Sequence, residues 1–233
     1  MRAVEAIAES RTVVGYTRYL ETIADLTGGK QLVASGMTHE VERCRQALER
    51  AAAGEVVALI SSGDAGIYGM AGLAFELAEA ENLHVPVEIV PGVTAASAAA
   101  AVLGAPLMLD FAVISLSDLL LSWEVIRRRL EAVAAADLVT VLYNPRSKKR
   151  LRQLAEAVEI FRAARSGQTP VGIVTAAGQD DQSLLITDLD HLVQQEVDMR
   201  TVVIIGNRST RRIDRWMVTA RGYLQRAEEE CPS

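Results

Sequence analysis

The sequence predicts an α/β protein built from repeated strand, loop and helix units around a largely parallel sheet. Three observations carry this. Short apolar runs alternate with longer amphipathic stretches along the chain. The apolar run Val56 to Ile60 enters the glycine-rich stretch Ser61-Ser62-Gly63-Asp64-Ala65-Gly66-Ile67-Tyr68-Gly69-Met70, and a helical stretch, Ala71 to Glu79, leaves it. Four strand ends carry small or polar residues: Ser62-Gly63-Asp64, Pro91-Gly92-Val93-Thr94, Tyr143-Asn144-Pro145 and Ala176-Ala177-Gly178. In an open parallel sheet, ligands bind at the carboxyl ends of the strands. Such tips meeting at one edge would line a cleft mostly with backbone, suited to a small polar ligand rather than a metal.

In chain order, Met1 to Ser10 reads as a helix, with Val4, Ile7 and Ala8 on one face and Glu5 and Glu9 opposite. A short apolar run follows within Arg11 to Tyr16. Thr17 to Leu26 is a helix closed by Gly28-Gly29. Gln31 to Ala34 is a strand, Ser35 to His39 a turn, and Glu40 to Ala53 a helix stopped by Gly54. After the glycine-rich stretch, Val85 to Val90 is expected as a strand, with Pro86 tolerated near its start. Ala95 to Leu103 is a helix of small residues. Residues 105–109 form a linker between an amino-terminal domain, 1–104, and a carboxyl-terminal domain, 110–225. The second domain holds strands at Phe111 to Leu116, Leu138 to Tyr143, Val171 to Thr175, Ser183 to Thr187 and Thr201 to Ile205. A further strand is expected at Arg215 to Thr219, and helices at Trp123 to Ala136 and Lys149 to Ala164. A polar tail, 226–233, ends the chain.

Composition excludes several classes. Apolar residues make up 50% and charged residues 23%, which permits a full core. A net charge of −6 and 4% aromatics argue against nucleic-acid binding, which needs a basic surface or a stacking platform. The two cysteines, Cys44 and Cys231, are far apart and without metal spacing, which fits a reducing cytoplasm. Neither a signal peptide nor an apolar run of about 18 residues is seen, so no membrane partner is expected.

Asp64 has two readings. At a strand tip its carboxylate would accept hydrogen bonds from a ligand hydroxyl or ammonium; in a tight strand-to-helix turn it would cap the helix. The spacing is neither Gly-x-Gly-x-x-Gly nor a phosphate loop. Arg146, Lys148, Lys149 and Arg150 crowd an expected helix start, where each cation opposes the macrodipole by roughly a few tenths of a kcal/mol. They either receive an anion or form a solvated loop, and Asn207 to Arg212 repeats the pattern. Of the histidines, His84 and His191 read as surface residues and His39 as the one beside a glycine turn. No Ser-His-Asp order appears, and no metal ligand set.

Ser62-Gly63-Asp64 with Ile67-Tyr68, followed by Val90-Pro91-Gly92-Val93-Thr94-Ala95-Ala96, resembles the tetrapyrrole methylases. Within them, four stretches are similar to the subgroup that methylates C17 of precorrin-3B in cobalamin synthesis. They are Val14 to Thr17, Ser35-Gly36-Met37, Ala112 to Leu120, and Leu142-Tyr143-Asn144-Pro145-Arg146-Ser147. The resemblance implies a two-domain α/β fold with parallel or mixed sheets and flanking helices, a homodimer, and S-adenosylmethionine held in the cleft between domains. It assigns donor contacts to Ser62, Gly63, Asp64, Ile67, Thr94, Ala95, Asn144 and Ala177. Asn144 replaces the broader family's methionine, and Ala177 stands where glycine is common. Family members begin with a strand and a Gly-Pro-Gly loop; here the chain enters at the first helix, so that strand and loop are expected to be absent.

The implied reaction is displacement at the sulfonium methyl by a macrocycle carbon, with alignment and desolvation as the protein's main contribution. The accompanying ring contraction needs proton transfer, for which Asp118, His39 and Tyr143 are candidates. Arg146 with Lys148 or Lys149 is expected to meet tetrapyrrole carboxylates, the arginine bidentately. The competing expectations are methylation at another tetrapyrrole carbon, a protein or RNA methylase of the same fold, and ligand binding without turnover.

Overall fold

The computed structural model describes residues 2–147 and 150–223. They fall into two compact units that divide between Thr94 and Ala95.

The first unit runs α1 (Arg2–Glu9), β1 (Thr12–Tyr16), α2 (Thr17–Thr22), a single 3-10 turn, β2 (Gln31–Ser35), α3 (Glu40–Ala52), β3 (Val57–Ile60) and α4 (Ala71–Ala80). Its strands form a parallel sheet in the order β2-β1-β3. Tyr16 lies opposite Ser35, and Gly15 opposite Ile60, so all three strands end at one edge. Ile7, Val13 and Leu20 form the core here, joined by Ile23, Leu26, Ala58 and Ile60. Helix α3 places Glu40 and Glu42 in its first turn and Arg50 in its last, as its macrodipole favours, and buries Cys44, Ala47 and Leu48. Burial pushes the Cys44 thiol up to about 11, so it stays protonated and inert near neutrality.

The expected strand Val85 to Val90 joins no sheet. A strand exists only through its ladder, and among the described residues β3 pairs with β1 alone and offers this segment no partner. Val87 and Ile89 are left exposed.

The second unit begins with α5 (Ala95–Leu103), a helix that the expected amino-terminal domain, 1–104, includes. The helix buries Ala96, Ala99 and Leu103 in a cluster with Val139, Val141, Val174, Val202, Ile204 and Met217, all further along the chain. Then follow β4 (Gly104–Ala105), β5 (Phe111–Ser115), α6 (Trp123–Ala135), β6 (Val139–Tyr143), α7 (Gln153–Ala164), β7 (Pro170–Thr175), β8 (Ser183–Asp188), β9 (Thr201–Ile205), β10 (Thr210–Ile213) and β11 (Trp216–Thr219).

The main sheet has the order β5-β6-β9-β7-β8. The β5–β6 pair is parallel and the rest are antiparallel. Alternation along the strands divides the core. Leu142, Val203 and Ile205 pack with Ile126, Leu130, Leu154 and Phe161 of α6 and α7, whereas Val141, Val202 and Ile204 pack with α5.

Two sequence expectations about basic residues change. The helix expected from Lys149 starts at Gln153, because Ser147 and Arg150 close a turn by exchanging backbone hydrogen bonds of 3.1 and 3.2 Å. Arg146 and Arg150 therefore stand outside the helix, and for them the dipole argument for an anion lapses. The basic stretch Asn207 to Arg212 is not a solvated loop either: Thr210 opens β10, and the hydroxyls of Thr210 and Thr219 meet at 2.8 Å across the β10–β11 hairpin. The strand was missed because the adjacent Arg211 and Arg212 leave no alternation of apolar and polar residues to read, and only Thr210 is buried. Lys148, Lys149, Cys231 and the polar tail lie outside the described residues.

Candidate functional site

In the first unit the glycine-rich turn follows β3. Gly63 adopts φ +70, which favours glycine. The Asp64 carboxylate accepts the Gly66 N–H at 2.8 Å through Oδ1 and the Gly92 N–H at 2.9 Å through Oδ2. It therefore neither caps α4, which opens behind Met70 with no side-chain cap, nor offers itself first to a ligand. It joins the turn after β3 to the Pro91-Gly92 loop, distant in sequence. Gly92 approaches so closely that a Cβ there would lie 1.9 Å from the Gly63 carbonyl oxygen. Ser61 adds a second tie, its Oγ accepting the Met70 N–H at 3.0 Å. Around this braced turn, Ser62, Gly63 and Ile67 are exposed and Thr94 is half-buried.

The backbone N–H of Gly92, then that of Gly66, hold the Asp64 carboxyl below the usual carboxylate range, with desolvation opposing. A depressed folded-state pKa contributes stability that is complete above the unfolded value of about 3.9 and is lost as pH falls through the folded value. Ligand affinity at this turn is thus expected to stay level from about pH 8 to 5 on this account and to weaken only below about pH 4. The acid limb should be absent in Asp64→Asn. Titration of affinity against pH checks this, and a limb near pH 6 that vanishes in Asp64→Asn would contradict it.

His39 is exposed, just ahead of α3, and makes no capping hydrogen bond. The turn that carries it is fixed by Arg43, which sequence reasoning missed. This arginine is 4% exposed. It donates from Nε to Ser35 Oγ at 2.9 Å and from Nη2 to the Gly36 carbonyl at 2.7 Å. The available signal was an arginine beside Cys44 on the otherwise apolar face of α3.

In the second unit, β5, β6 and β7 end at the same edge, where β9 begins. Ala176-Ala177-Gly178 and Asn144 therefore share an edge, as expected of strand tips. Ala176 and Asn144 are both left-handed, at φ 53 and 50. Asn144 is held from both sides. Its Nδ2 donates to Ser115 Oγ at 3.0 Å, and its carbonyl accepts from Arg150 Nη2 at 3.2 Å. Arg150 Nη1 reaches Ser117 Oγ at 3.4 Å. Arg150 thus props the Asn144 turn, a role invisible in a run of four basic residues. Tyr143 Oη accepts the Ala96 N–H at 2.8 Å and so caps α5, whose first residue is Ala95. Asp118 is exposed and accepts from Gln153 Nε2 at 2.9 Å. Of the three proton-transfer candidates, Tyr143 and Asp118 belong to this unit and His39 to the other.

Arg146 is half-buried and its Nε has no hydrogen-bond partner; the same holds for Nε of Arg150. Among the described residues no group of three or more His, Cys, Asp or Glu side chains could hold a metal ion. No described helix is long and apolar enough to cross a membrane.

Backbone-built turns at strand ends, one braced by a carboxylate and one by a guanidinium, are a scaffold for a small organic ligand. The family model for Tetrapyrrole (Corrin/Porphyrin) Methylases matches residues 1–193. The chain belongs to the tetrapyrrole methylase family. This methylase is 50% identical over 223 residues to a probable cobalt-factor III C(17)-methyltransferase of Salmonella typhimurium, covering 96% of this chain and 92% of that one. It is 43% identical over 214 residues to a precorrin-3B C(17)-methyltransferase of Sinorhizobium sp, covering 91% and 84%. Among solved structures it resembles the methyltransferase CobJ, with a TM-score of 0.87 at 37% identity over 94% of this chain and 92% of that one.

Proposed function

We propose that this methylase transfers the methyl group of S-adenosylmethionine to C17 of precorrin-3B or its cobalt analogue, with ring contraction, in cobalamin synthesis. The 50% identity to a C(17)-methyltransferase across nearly the whole chain carries this reading. The competing ring positions, and the protein and RNA substrates, have no comparable support.

The turn residues fit the donor chemically. Ser62, Gly63 and Ile67 present exposed backbone and small groups that a nucleoside and an amino acid can approach. The bond to Gly92 fixes Asp64, so the turn is ordered before ligand arrives and little binding energy goes into ordering it. We assign donor contacts to Ser62, Gly63, Asp64, Ile67, Thr94 and Ala95, and in the second unit to Asn144 and Ala177. The bound donor supplies an activated methyl carbon. The chain's work is then to hold geometry and exclude water. For ring contraction, Tyr143 is anchored by Ala96 and Asp118 by Gln153, whereas His39 is exposed and makes no capping hydrogen bond. Single substitutions with substrate and product followed separately would rank the three. We further propose a homodimer in the cytoplasm. The free, buried Cys44 suits that compartment, and sedimentation tests the dimer.

We assign Arg146 to a substrate carboxylate, with Lys148 and Lys149 as supporting point charges. A half-buried charge-assisted bond is worth roughly 1.5–3 kcal/mol. Arg146→Ala is therefore expected to weaken tetrapyrrole binding about tenfold or more and leave donor binding unchanged, with added salt weakening the tetrapyrrole more than the donor. Titrating both ligands at two salt concentrations measures this. Titration with S-adenosylhomocysteine, then cobalt-factor III, tests the function itself. Saturable binding of both supports it, and no binding of the donor product would overturn it.

A further inference from the structure

The turn between β5 and α6 exposes three consecutive leucines. Leu119 is 79% exposed, Leu120 91% and Leu121 43%. Water-facing apolar runs of this kind are disfavoured unless something covers them. This turn lies against the segment that carries the two arginines. The Leu116 N–H donates to the Tyr143 carbonyl at 2.9 Å, Arg150 Nη1 reaches Ser117 Oγ at 3.4 Å, and Gln153 Nε2 reaches Asp118 Oδ2 at 2.9 Å. Leu151 and Met199, the latter with its sulfur 3.3 Å from Arg150 Nη2, extend the exposed apolar surface.

Beside these apolar groups stand two cations in need of a counter-charge. Nε of Arg146 and Nε of Arg150 are buried without a hydrogen-bond partner, and among the described residues neither guanidinium pairs with a carboxylate. Burying guanidinium atoms without partners is unfavourable, so the arrangement favours arrival of an anion. The surface thus combines exposed apolar side chains with two arginines that, among the described residues, lack a carboxylate partner. The complementary ligand has a flat apolar face and a rim of carboxylates. A second copy of this chain is a poorer cover: a two-fold contact centred on the leucines would bring the same unpaired arginines of both copies together.

Resting on the C17 reading above, we propose that the Leu119-Leu120-Leu121 turn is the platform for the ring face of the tetrapyrrole, with Arg146 and Arg150 beside it at ring carboxylates. The turn sets specificity for the macrocycle and has no part in holding the donor. Because Arg150 also holds the Asn144 carbonyl, an anion that draws on Arg150 acts on the Asn144 turn as well.

The test is the double variant Leu119→Ser/Leu120→Ser in the full chain. Its exposed positions leave the core intact. The probes are cobalt-factor III, uroporphyrin III as a tetrapyrrole polycarboxylate that is not the proposed substrate, and S-adenosylhomocysteine. The double variant is expected to bind both tetrapyrroles about tenfold or more weakly, since each leucine loses most of its transfer gain. S-adenosylhomocysteine affinity and sedimentation should not change. Unchanged tetrapyrrole affinity overturns the proposal, as does conversion of a dimer to a monomer, which would assign the leucines to a second copy. Wild-type binding of uroporphyrin III that depends on the leucines, without turnover of cobalt-factor III, would sink the C17 reading and leave the platform standing. Wild type that binds neither tetrapyrrole overturns both.

Discussion

Gly92→Ala is expected to weaken S-adenosylhomocysteine binding by about two orders of magnitude or more. The added Cβ would lie 1.9 Å from the Gly63 carbonyl oxygen, a backbone atom that moves only if its turn moves. Displacement of the Pro91-Gly92 loop breaks the 2.9 Å bond from the Gly92 N–H to Asp64 and with it the brace between the two loops. A shift of about 1 Å in a positioning group is enough for a loss of this size. The cost to folding should be about 1–3 kcal/mol, as for other overpacked sites. Calorimetry paired with denaturant unfolding separates the two. A folded Gly92→Ala protein with wild-type donor affinity would show that the two loops are not coupled in binding. Gly63 is a poorer probe because its φ of +70 strains any side chain there, whatever the ligand does.

Arg165→Ala is expected to lower stability by about 3–5 kcal/mol, the range for stripping one partner from a buried ionic network. The side chain is 1% exposed and sits 3.4 Å from Asp137 Oδ1 in an ion pair. It donates to the Leu138 carbonyl at 2.7 Å, to the Val133 carbonyl at 3.3 Å and, very closely, to the Gly206 carbonyl. Its guanidinium also lies 4.8 Å from the centre of the Phe161 ring. One residue thus ties the end of α6, the approach to β6 and the exit of β9 to α7. Removing it takes a donor from three carbonyls and the cation from beside Asp137, although the Val133 carbonyl keeps the Leu138 N–H and the Leu138 carbonyl the Thr140 hydroxyl. Burial pulls the guanidinium below its ordinary pKa, with Asp137 opposing, which marks it as a group held against its solvation preference. Arg165→Lys should recover part of the loss, because an ammonium cannot serve all the acceptors at once. Urea unfolding of the three proteins measures this, and a loss below about 1 kcal/mol for Arg165→Ala would contradict it.

Much of the fold was legible because local signals agreed with packing. Ala95 to Leu103 and Thr201 to Ile205 appear with the bounds that periodicity assigned them. The failures have physical causes. Val85 to Val90 has the composition of a strand, but a ladder needs a neighbour, and none of the described strands pairs with it. The start of α7 was placed early because helix propensity runs through Lys149 to Arg152, whereas the backbone bonds between Ser147 and Arg150 and the long reach of the Arg150 side chain hold Arg150 out of the helix. The ends of the site were readable as small and polar strand tips. What joins them was not: Asp64 to Gly92 and Arg150 to Asn144 are long side-chain-to-backbone bonds that no spacing rule encodes. Arg43 was hidden for the same reason, its partners Ser35 and Gly36 lying across a turn.

The most direct test of the chemistry is turnover with isotopically labelled donor. The chain is incubated with cobalt-factor III and S-adenosylmethionine carrying a 13C methyl group, and the product is examined by mass spectrometry and carbon NMR. The expected result is one labelled methyl per macrocycle, on the saturated carbon at C17 of a contracted ring, with equimolar S-adenosylhomocysteine released. Label at another ring carbon, or donor binding with no label transferred to the tetrapyrrole, would contradict it.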